Sequence, residues 1–232
     1  MKTEKRYLDG TYLENDPNWH CEDAPWKANL VARILTLHQI QPVSICEVGC
    51  GTREILRCLF PSFPLSKLYG FDISPQVTRF WPDDQDESIT FTLGDFHELN
   101  TMKYDVLLML DVFEHVRDPF TFLEESRSHA KKFVFHIPLD LSALGVARKL
   151  PLLKARRSVG HLNYYTKDLA LETLIDCGYK IIDYKYTGAS LNSPKRTWKT
   201  RMASVMRKLV YWINKDAGVR LLGGETLLVI AE

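Results

Sequence analysis

The segment that most restricts the fold is a short apolar run that ends in an acid and is followed by two closely spaced glycines. It reads Val43-Ser44-Ile45-Cys46-Glu47-Val48-Gly49-Cys50-Gly51-Thr52-Arg53. We interpret it as a buried parallel strand that ends near Glu47, a tight turn, and a helix that opens near Arg53. Because Gly49 and Gly51 carry no Cβ, a ligand can lie close to the backbone at this turn.

A second acid, Asp72, stands at the end of the next apolar run. A carboxylate there can accept hydrogen bonds from two ribose hydroxyls, so the two segments together predict a nucleoside-binding site. A dinucleotide site normally carries a third glycine, which lets the diphosphate approach. Here Arg53 and Glu54 occupy that neighbourhood, and Glu54 at the helix start would repel a diphosphate. A ligand with a ribose, an adenine and a positive charge, such as S-adenosylmethionine, fits better.

At these positions the chain resembles the class I S-adenosylmethionine-dependent methyltransferases. The resemblance covers about residues 40–187 and a last strand at 225–231. It implies S-adenosylmethionine as the cofactor and cofactor-binding residues at four strand ends. These are Glu47, Gly49 and Gly51 in the glycine loop, Asp72 and Ile73 after the second strand, Asp95 and Phe96 after the third, and Leu110 at the end of the fourth.

Apolar runs and helical patterns alternate along the chain. Strands are predicted near 43–48, 67–72, 89–93, 104–110, 132–137, 180–187 and 225–231, and helices near 25–39, 51–60, 119–130 and 167–177. This alternation predicts an α/β fold, with a doubly wound, mostly parallel, seven-stranded Rossmann-like sheet in a single domain over 1–232. The long excursion before the seventh strand predicts that this strand is antiparallel and inserted between earlier ones.

Three segments are additions to this core. They are an N-terminal cover segment at 1–27 and two insertions at 138–166 and 188–224. The first is rich in aromatic residues, and loops at the carboxyl ends of parallel strands normally build the ligand cleft. We therefore expect these segments to cover the substrate side and to choose the acceptor.

Methyl transfer to oxygen requires a base or a cation that favours the anionic acceptor. If the chain after the fourth strand forms a helical turn, Asp111, Glu114 and His115 share one face, and His161 could join them. The set resembles that of two metal-assisted branches, the ubiquinone-pathway O-methyltransferases and the small-RNA 2′-O-methyltransferases. Glu-His at this place also occurs in metal-free relatives. We therefore predict His115, Glu114 and His161 as catalytic residues, with His115 as the base. A divalent cation held by Asp111, Glu114, His115 and His161 stays open as the alternative.

The stretch 195–215 contains seven Lys or Arg residues and no acid, with apolar residues at helical spacing. Three interpretations stay open for this basic helix. It could contact an anionic membrane surface, recognise an acidic substrate, or pack its apolar face on the core or on a second subunit.

Composition fits a globular protein, with 45% hydrophobic and 25% charged residues among 232. A net charge of +1 gives no general attraction to nucleic acid. Five cysteines without a Cys-x-x-Cys pair and the lack of a visible secretory signal predict a cytoplasmic protein.

The chain is thus predicted to methylate a small-molecule or sugar-like acceptor at oxygen. Two alternatives stay open. One is an NAD(P)-dependent oxidoreductase on a similar sheet, and the other is a non-catalytic cofactor-binding scaffold protein.

Overall fold

The protein is built on one seven-stranded sheet. The structure is a computed structural model that describes residues 2–19, 21–81, 88–188, 207–208 and 210–232. The strands are β1 Ser44–Val48, β2 Lys67–Asp72, β3 Ile89–Leu93, β4 Tyr104–Leu110, β5 Ala130–Pro138, β6 Ile181–Tyr186 and β7 Thr226–Ala231. Their order across the sheet is β3-β2-β1-β4-β5-β7-β6.

Strands β1 to β5 pair in parallel, and β7 runs antiparallel to both of its neighbours, β5 and β6. The predicted doubly wound, mostly parallel sheet is confirmed, and so is the insertion of an antiparallel seventh strand. The predicted strand limits agree with the structure to within two residues at every end.

Helices flank the sheet and fill most of the described connections. They are α1 Lys2–Leu8, α2 Thr11–Asn15, α3 Ala24–Leu37, α4 Glu54–Leu59, α5 Phe96–Leu99, α6 Pro119–Ser126, α7 Ala143–Arg148, α8 Leu150–Lys154, α9 Lys167–Asp176 and α10 Lys215–Leu222. Within the described ranges, no helix combines the length and apolarity that crossing a bilayer demands. Most of the basic stretch at 195–215 lies outside the described residues.

The sheet buries side chains on both faces, as its continuous apolar strands require. Strand β4 shows this most clearly, because alternate residues belong to different core clusters. Leu107 and Met109 pack with residues of α6, α9 and α10, whereas Val106 and Leu108 pack with residues of α3 and α4. Helices therefore cover both faces and leave the strand ends to form the site.

The strand order reverses direction between β1 and β4, since β2 and β3 extend one way and β5 the other. In open parallel sheets, ligands bind outside the carboxyl ends of the strands at such a switch point. The glycine loop after β1 and the turn after β4 are therefore neighbours at one edge.

Candidate active site

A cavity of about 510 Å³ lies at this edge, between the strand ends and the N-terminal segment. Its volume is in the range of small-molecule and cofactor sites. Ten sequence-predicted site residues line it, namely Gly49, Gly51, Asp72, Ile73, Asp95, Phe96, Leu110, Glu114, His115 and His161. The structure thus brings together residues from the ends of four strands and from the second added segment.

The glycine loop is tied to Asp72, the predicted ribose-binding acid. The Gly51 amide donates to Asp72 Oδ2 at 2.8 Å, and the Ser74 amide donates to Asp72 Oδ1 at 2.8 Å. Burial raises the pKa of Asp72 to about 6, although these two hydrogen bonds lower it in part. Each carboxylate oxygen keeps one lone pair for a further donor.

The two glycines adopt backbone conformations that favour glycine. Gly49 has φ 74° and Gly51 has φ 49°. A Cβ on Gly51 would lie 2.8 Å from the Trp19 ring, so only glycine lets the N-terminal segment approach this closely. Arg53 also lies in the left-handed region, at φ 73°, and α4 begins at the next residue. Arg53 therefore occupies a turn position at which dinucleotide-binding sites usually have glycine.

The third strand end contributes a helix cap and an aromatic wall. The Asp95 carboxylate caps α5 by accepting from the His97 amide at 2.8 Å. Phe96 is buried edge-to-face against Phe71, with ring centroids 5.2 Å apart. The cap fixes Asp95 at the rim, where part of its carboxylate is exposed.

Glu47 is the predicted cofactor residue that does not line the cavity within the described part of the chain. It is buried near the end of β1, and its Oε2 has no hydrogen-bond partner among the residues that the structure describes. Burial raises the pKa of Glu47 to about 8, although the Lys27 ammonium opposes this shift. Glu47 is therefore a buried carboxyl directly before the lining residues Val48 and Gly49.

A chain of polar contacts, not foreseen from the sequence, lies beside it. Lys27 Nζ lies 2.6 Å from Asp111 Oδ2, and His136 Nδ1 donates to Asp111 Oδ1 at 2.7 Å. Thr226 Oγ1 lies 2.9 Å from His136 Nε2. Burial alone would raise the pKa of Asp111, but His136 and Lys27 outweigh it and hold this pKa well below its usual range. Asp111 therefore stays ionised and paired.

The residues after β4 do not form a helical turn, which was the condition for Asp111, Glu114 and His115 to share one face. Asp111 has φ 57°, and the following residues make tight turns in which the His115 amide donates to Val112 O at 2.9 Å. This backbone directs Asp111 to Lys27. The compact group that could hold a metal comprises Glu114, His115 and His161, without Asp111.

Glu114, His115 and His161 form a cluster on the cavity wall, with ligand atoms within 4.8 Å of one another. Glu114 is fully buried, and neither carboxylate oxygen has a hydrogen-bond partner in the described structure. Burial raises the pKa of Glu114 well above its ordinary value, and the nearby Asp111 charge adds to this shift. The buried environment therefore favours the protonated form of the Glu114 carboxyl.

His161 is oriented by an acid that the sequence did not single out. Its Nδ1 donates to Asp140 Oδ2 at 2.5 Å. The His161 ring lies edge-to-face with His115, with centroids 4.8 Å apart. The amides of Leu162 and Asn163 both donate to Glu114 O, at 2.8 and 3.0 Å. The second added segment is thus fixed to the turn after β4.

The N-terminal segment covers the cavity from the other side. Ser74 Oγ donates to Tyr7 O at 2.6 Å, and Gln76 Nε2 donates to Leu8 O at 2.9 Å. The Tyr7 ring meets His115 edge-on, with centroids 5.9 Å apart. These contacts place the Tyr7 ring against the catalytic candidate His115.

The charges of the lining select the kind of ligand. Six carboxyl side chains line the cavity, whereas Lys27 and Arg117 are its two fixed cations within the described residues. Lys27 is already paired with Asp111. A diphosphate would be repelled by the carboxylates near the glycine loop. A cationic nucleoside can instead contact a carboxylate, aromatic rings and the backbone of the glycines at short distance. The residues present fit S-adenosylmethionine.

Comparisons with known proteins agree with this site. The family model described as "Methyltransferase domain" matches residues 20–183. Malonyl-[acyl-carrier protein] O-methyltransferase of Acetivibrio thermocellus is 26% identical over 119 residues. That match covers 50% of this chain and 42% of the relative, so the chain spans less than half the length of the curated relative.

Solved structures share the fold at low identity. A chain of the complex between the Haloferax volcanii Trm112 methyltransferase activator and a methyltransferase superposes with a TM-score of 0.63 and 20% identity, covering 96% of this chain and 94% of that chain. The plantazolicin methyltransferase BpumL with bound SAH gives 0.62 and 16%, covering 99% and 95%. Magnesium protoporphyrin IX methyltransferase of Synechocystis PCC 6803 gives 0.57 and 18%, covering 89% and 82%.

The matched family, the fold and the charges of the cavity agree, and they set aside the oxidoreductase alternative. The chain therefore belongs to the methyltransferase-domain family, and it shares the fold of solved methyltransferases.

Proposed function

We propose that this enzyme methylates a hydroxyl oxygen of a small-molecule or sugar-like acceptor, with His161 as the base. One observation carries the proposal: His161 lines the cavity beside Glu114 and is hydrogen-bonded to Asp140 behind it. The relative from Acetivibrio thermocellus is by name an O-methyltransferase. The proposal takes 1–232 as one domain whose added segments surround the acceptor.

The proposed cofactor contacts follow the strand ends. The backbone of Gly49 and Gly51 gives close approach, and Asp72 offers its free lone pairs to the ribose hydroxyls. Ile73, Asp95, Phe96 and Leu110 surround the adenine end. Glu47 contributes as a buried carboxyl next to the lining instead of as a direct contact. S-adenosylmethionine, when bound, supplies an electrophilic methyl group.

The proposed base is His161 instead of His115, which the sequence favoured. Because Nδ1–H of His161 donates to Asp140, its Nε2 carries the lone pair that can take a proton. An ionised acid that orients a histidine also stabilises the imidazolium that forms. His115, edge-on to both Tyr7 and His161, is proposed to hold the acceptor in position.

Glu114 has a different proposed role. In its protonated form, which burial favours, the Glu114 carboxyl can donate a hydrogen bond to the acceptor. Neither of its buried oxygens has a hydrogen-bond partner in the described structure, and His115 Nε2 lies 3.8 Å from Oε1. Tyr7, Tyr12 and Trp19 of the cover segment line the same cavity and are proposed to exclude water during transfer.

The function is tested with methyl-labelled S-adenosylmethionine and a panel of phenols, catechols, sugars and amines of similar size. We expect label on hydroxyl compounds and a rate that a chelator does not change. Label confined to amines would contradict oxygen transfer. Loss of activity with the chelator, restored by added divalent cation, would instead assign Glu114, His115 and His161 to a metal site.

A further inference from the structure

The second added segment exposes apolar side chains in a row of short helices. Leu150 is 75% exposed, Val146 53% and Leu153 40%. They belong to α7 and α8, which lead into a π-helical turn at Ala155–Val159. Several large apolar side chains exposed close together commonly mark an interaction surface.

The same segment carries an unbalanced charge. Residues 141–159 contain five Lys or Arg residues and no acid, although the whole chain has a net charge of only +1. All five are exposed, and none of them pairs with a carboxylate in the described part of the chain. They are Arg148, Lys149, Lys154, Arg156 and Arg157.

Cations and leucines share one surface. Arg148, Leu150, Leu153, Lys154 and Arg157 line a single shallow groove. We call these five residues, with Arg156, the basic–apolar surface. A binding partner for this surface must therefore have both an apolar region and negative charge.

We propose that the basic–apolar surface docks on an anionic phospholipid bilayer. Burial of leucine side chains at the boundary between headgroups and acyl chains lowers the free energy of binding. Attraction between the neighbouring cations and anionic headgroups lowers it further. A second copy of the chain would bring the same cations face to face, which is unfavourable. A nucleic acid would satisfy the cations but would leave Leu150 and Leu153 without an apolar partner.

Neighbouring elements support this choice. Helix α10 packs against α7, and the helical residues just before α10 include Trp212 and Ile213, which are 88% and 79% exposed. Tryptophan is enriched at membrane–water interfaces. The segment also supplies Val159 and His161 to the cavity wall, so docking would hold the acceptor side of the cavity near the bilayer.

Co-sedimentation of the full chain with vesicles tests the proposal without any methyl transfer. We expect partition into phosphatidylcholine vesicles that contain phosphatidylglycerol, weak partition into phosphatidylcholine alone, and loss of binding at high salt. The double variant Arg156→Gln/Arg157→Gln should bind at least about tenfold more weakly. Leu150→Ala/Leu153→Ala should also weaken binding, because it removes the inserted apolar groups.

A matched double variant, Leu65→Ala/Lys103→Gln, changes an exposed leucine and an exposed lysine outside this surface and should bind like the wild type. Partition that does not depend on phosphatidylglycerol, or that is equal in all variants, would overturn the proposal. Sedimentation velocity provides the other arm. An oligomer that disappears in Leu150→Ala/Leu153→Ala would assign the surface to self-association instead.

Discussion

Replacing His161 with alanine should lower turnover by about 10²–10⁴-fold, while the affinity for S-adenosylhomocysteine changes little. The reason is that His161 is oriented by Asp140 and lies on the cavity wall, so it is placed to take the acceptor's proton. Steady-state kinetics on an acceptor from the panel, together with calorimetry, measures both quantities.

Asp140→Asn tests the positioning role of the acid. We expect a loss of about tenfold or more in kcat, because an acid that orients a catalytic histidine commonly contributes at least this much. KM should change little, since Asp140 contacts His161 and does not line the cavity. A merely structural role would lower the stability of the fold without this separation of kcat from KM.

A matched control is another histidine–carboxylate pair, His38 and Asp183, with His38 Nε2 3.2 Å from Asp183 Oδ2. Neither residue lines the cavity, so His38→Ala should leave turnover near the wild-type value. If His161→Ala were as active as His38→Ala, His161 would not be the base.

In the ligand-free protein, the free energy of unfolding of Glu47→Gln should rise relative to that of the wild type by about 4 kcal/mol as the pH increases from about 5 to 8. Burial raises the pKa of Glu47 from 4.5 to about 8, so the folded protein retains a proton that the unfolded chain releases between these values. The contribution of Glu47 to the free energy of unfolding is therefore fully present below about pH 4.5 and is lost as the pH rises towards 8. The variant has no such proton and avoids this loss.

Denaturant unfolding between about pH 5 and pH 8 measures the difference. We expect Glu47→Gln to gain stability relative to the wild type as pH rises, while Glu98→Gln, at an exposed position in α5, runs parallel to the wild type. Asp72 titrates in the same direction but is common to all three proteins, so it cancels. A constant difference between Glu47→Gln and the wild type would show that Glu47 is ionised in the fold.

The strands could be predicted closely because the central ones are mostly apolar, and glycine or an acid stands at or directly after the end of β1, β2, β3 and β4. The glycine loop and Asp72 were accessible for the same reason, since both directly follow such runs. In the structure the two segments are joined, because the Gly51 amide donates a hydrogen bond to Asp72.

The polar pairs of the site could not be predicted in the same way. Lys27 and Asp111 lie on α3 and after β4, and nothing local marks a lysine in an amphipathic helix as the partner of a distant acid. Asp140 is likewise identified only through its contact with His161. The assumed helical turn was wrong because Asp111 takes a left-handed backbone conformation, which Asp tolerates better than most residues.

We propose that S-adenosylmethionine lies on the glycine loop with its ribose at Asp72, and calorimetry with S-adenosylhomocysteine tests this placement most directly. Asp72→Ala should bind about 2–3 kcal/mol more weakly than the wild type, because it removes a charged acceptor. Asp118→Ala, which removes the helix cap that accepts from the Thr121 amide outside the cavity, should bind as the wild type does. Equal affinity of wild type and Asp72→Ala, with both proteins folded, would contradict the placement of the cofactor.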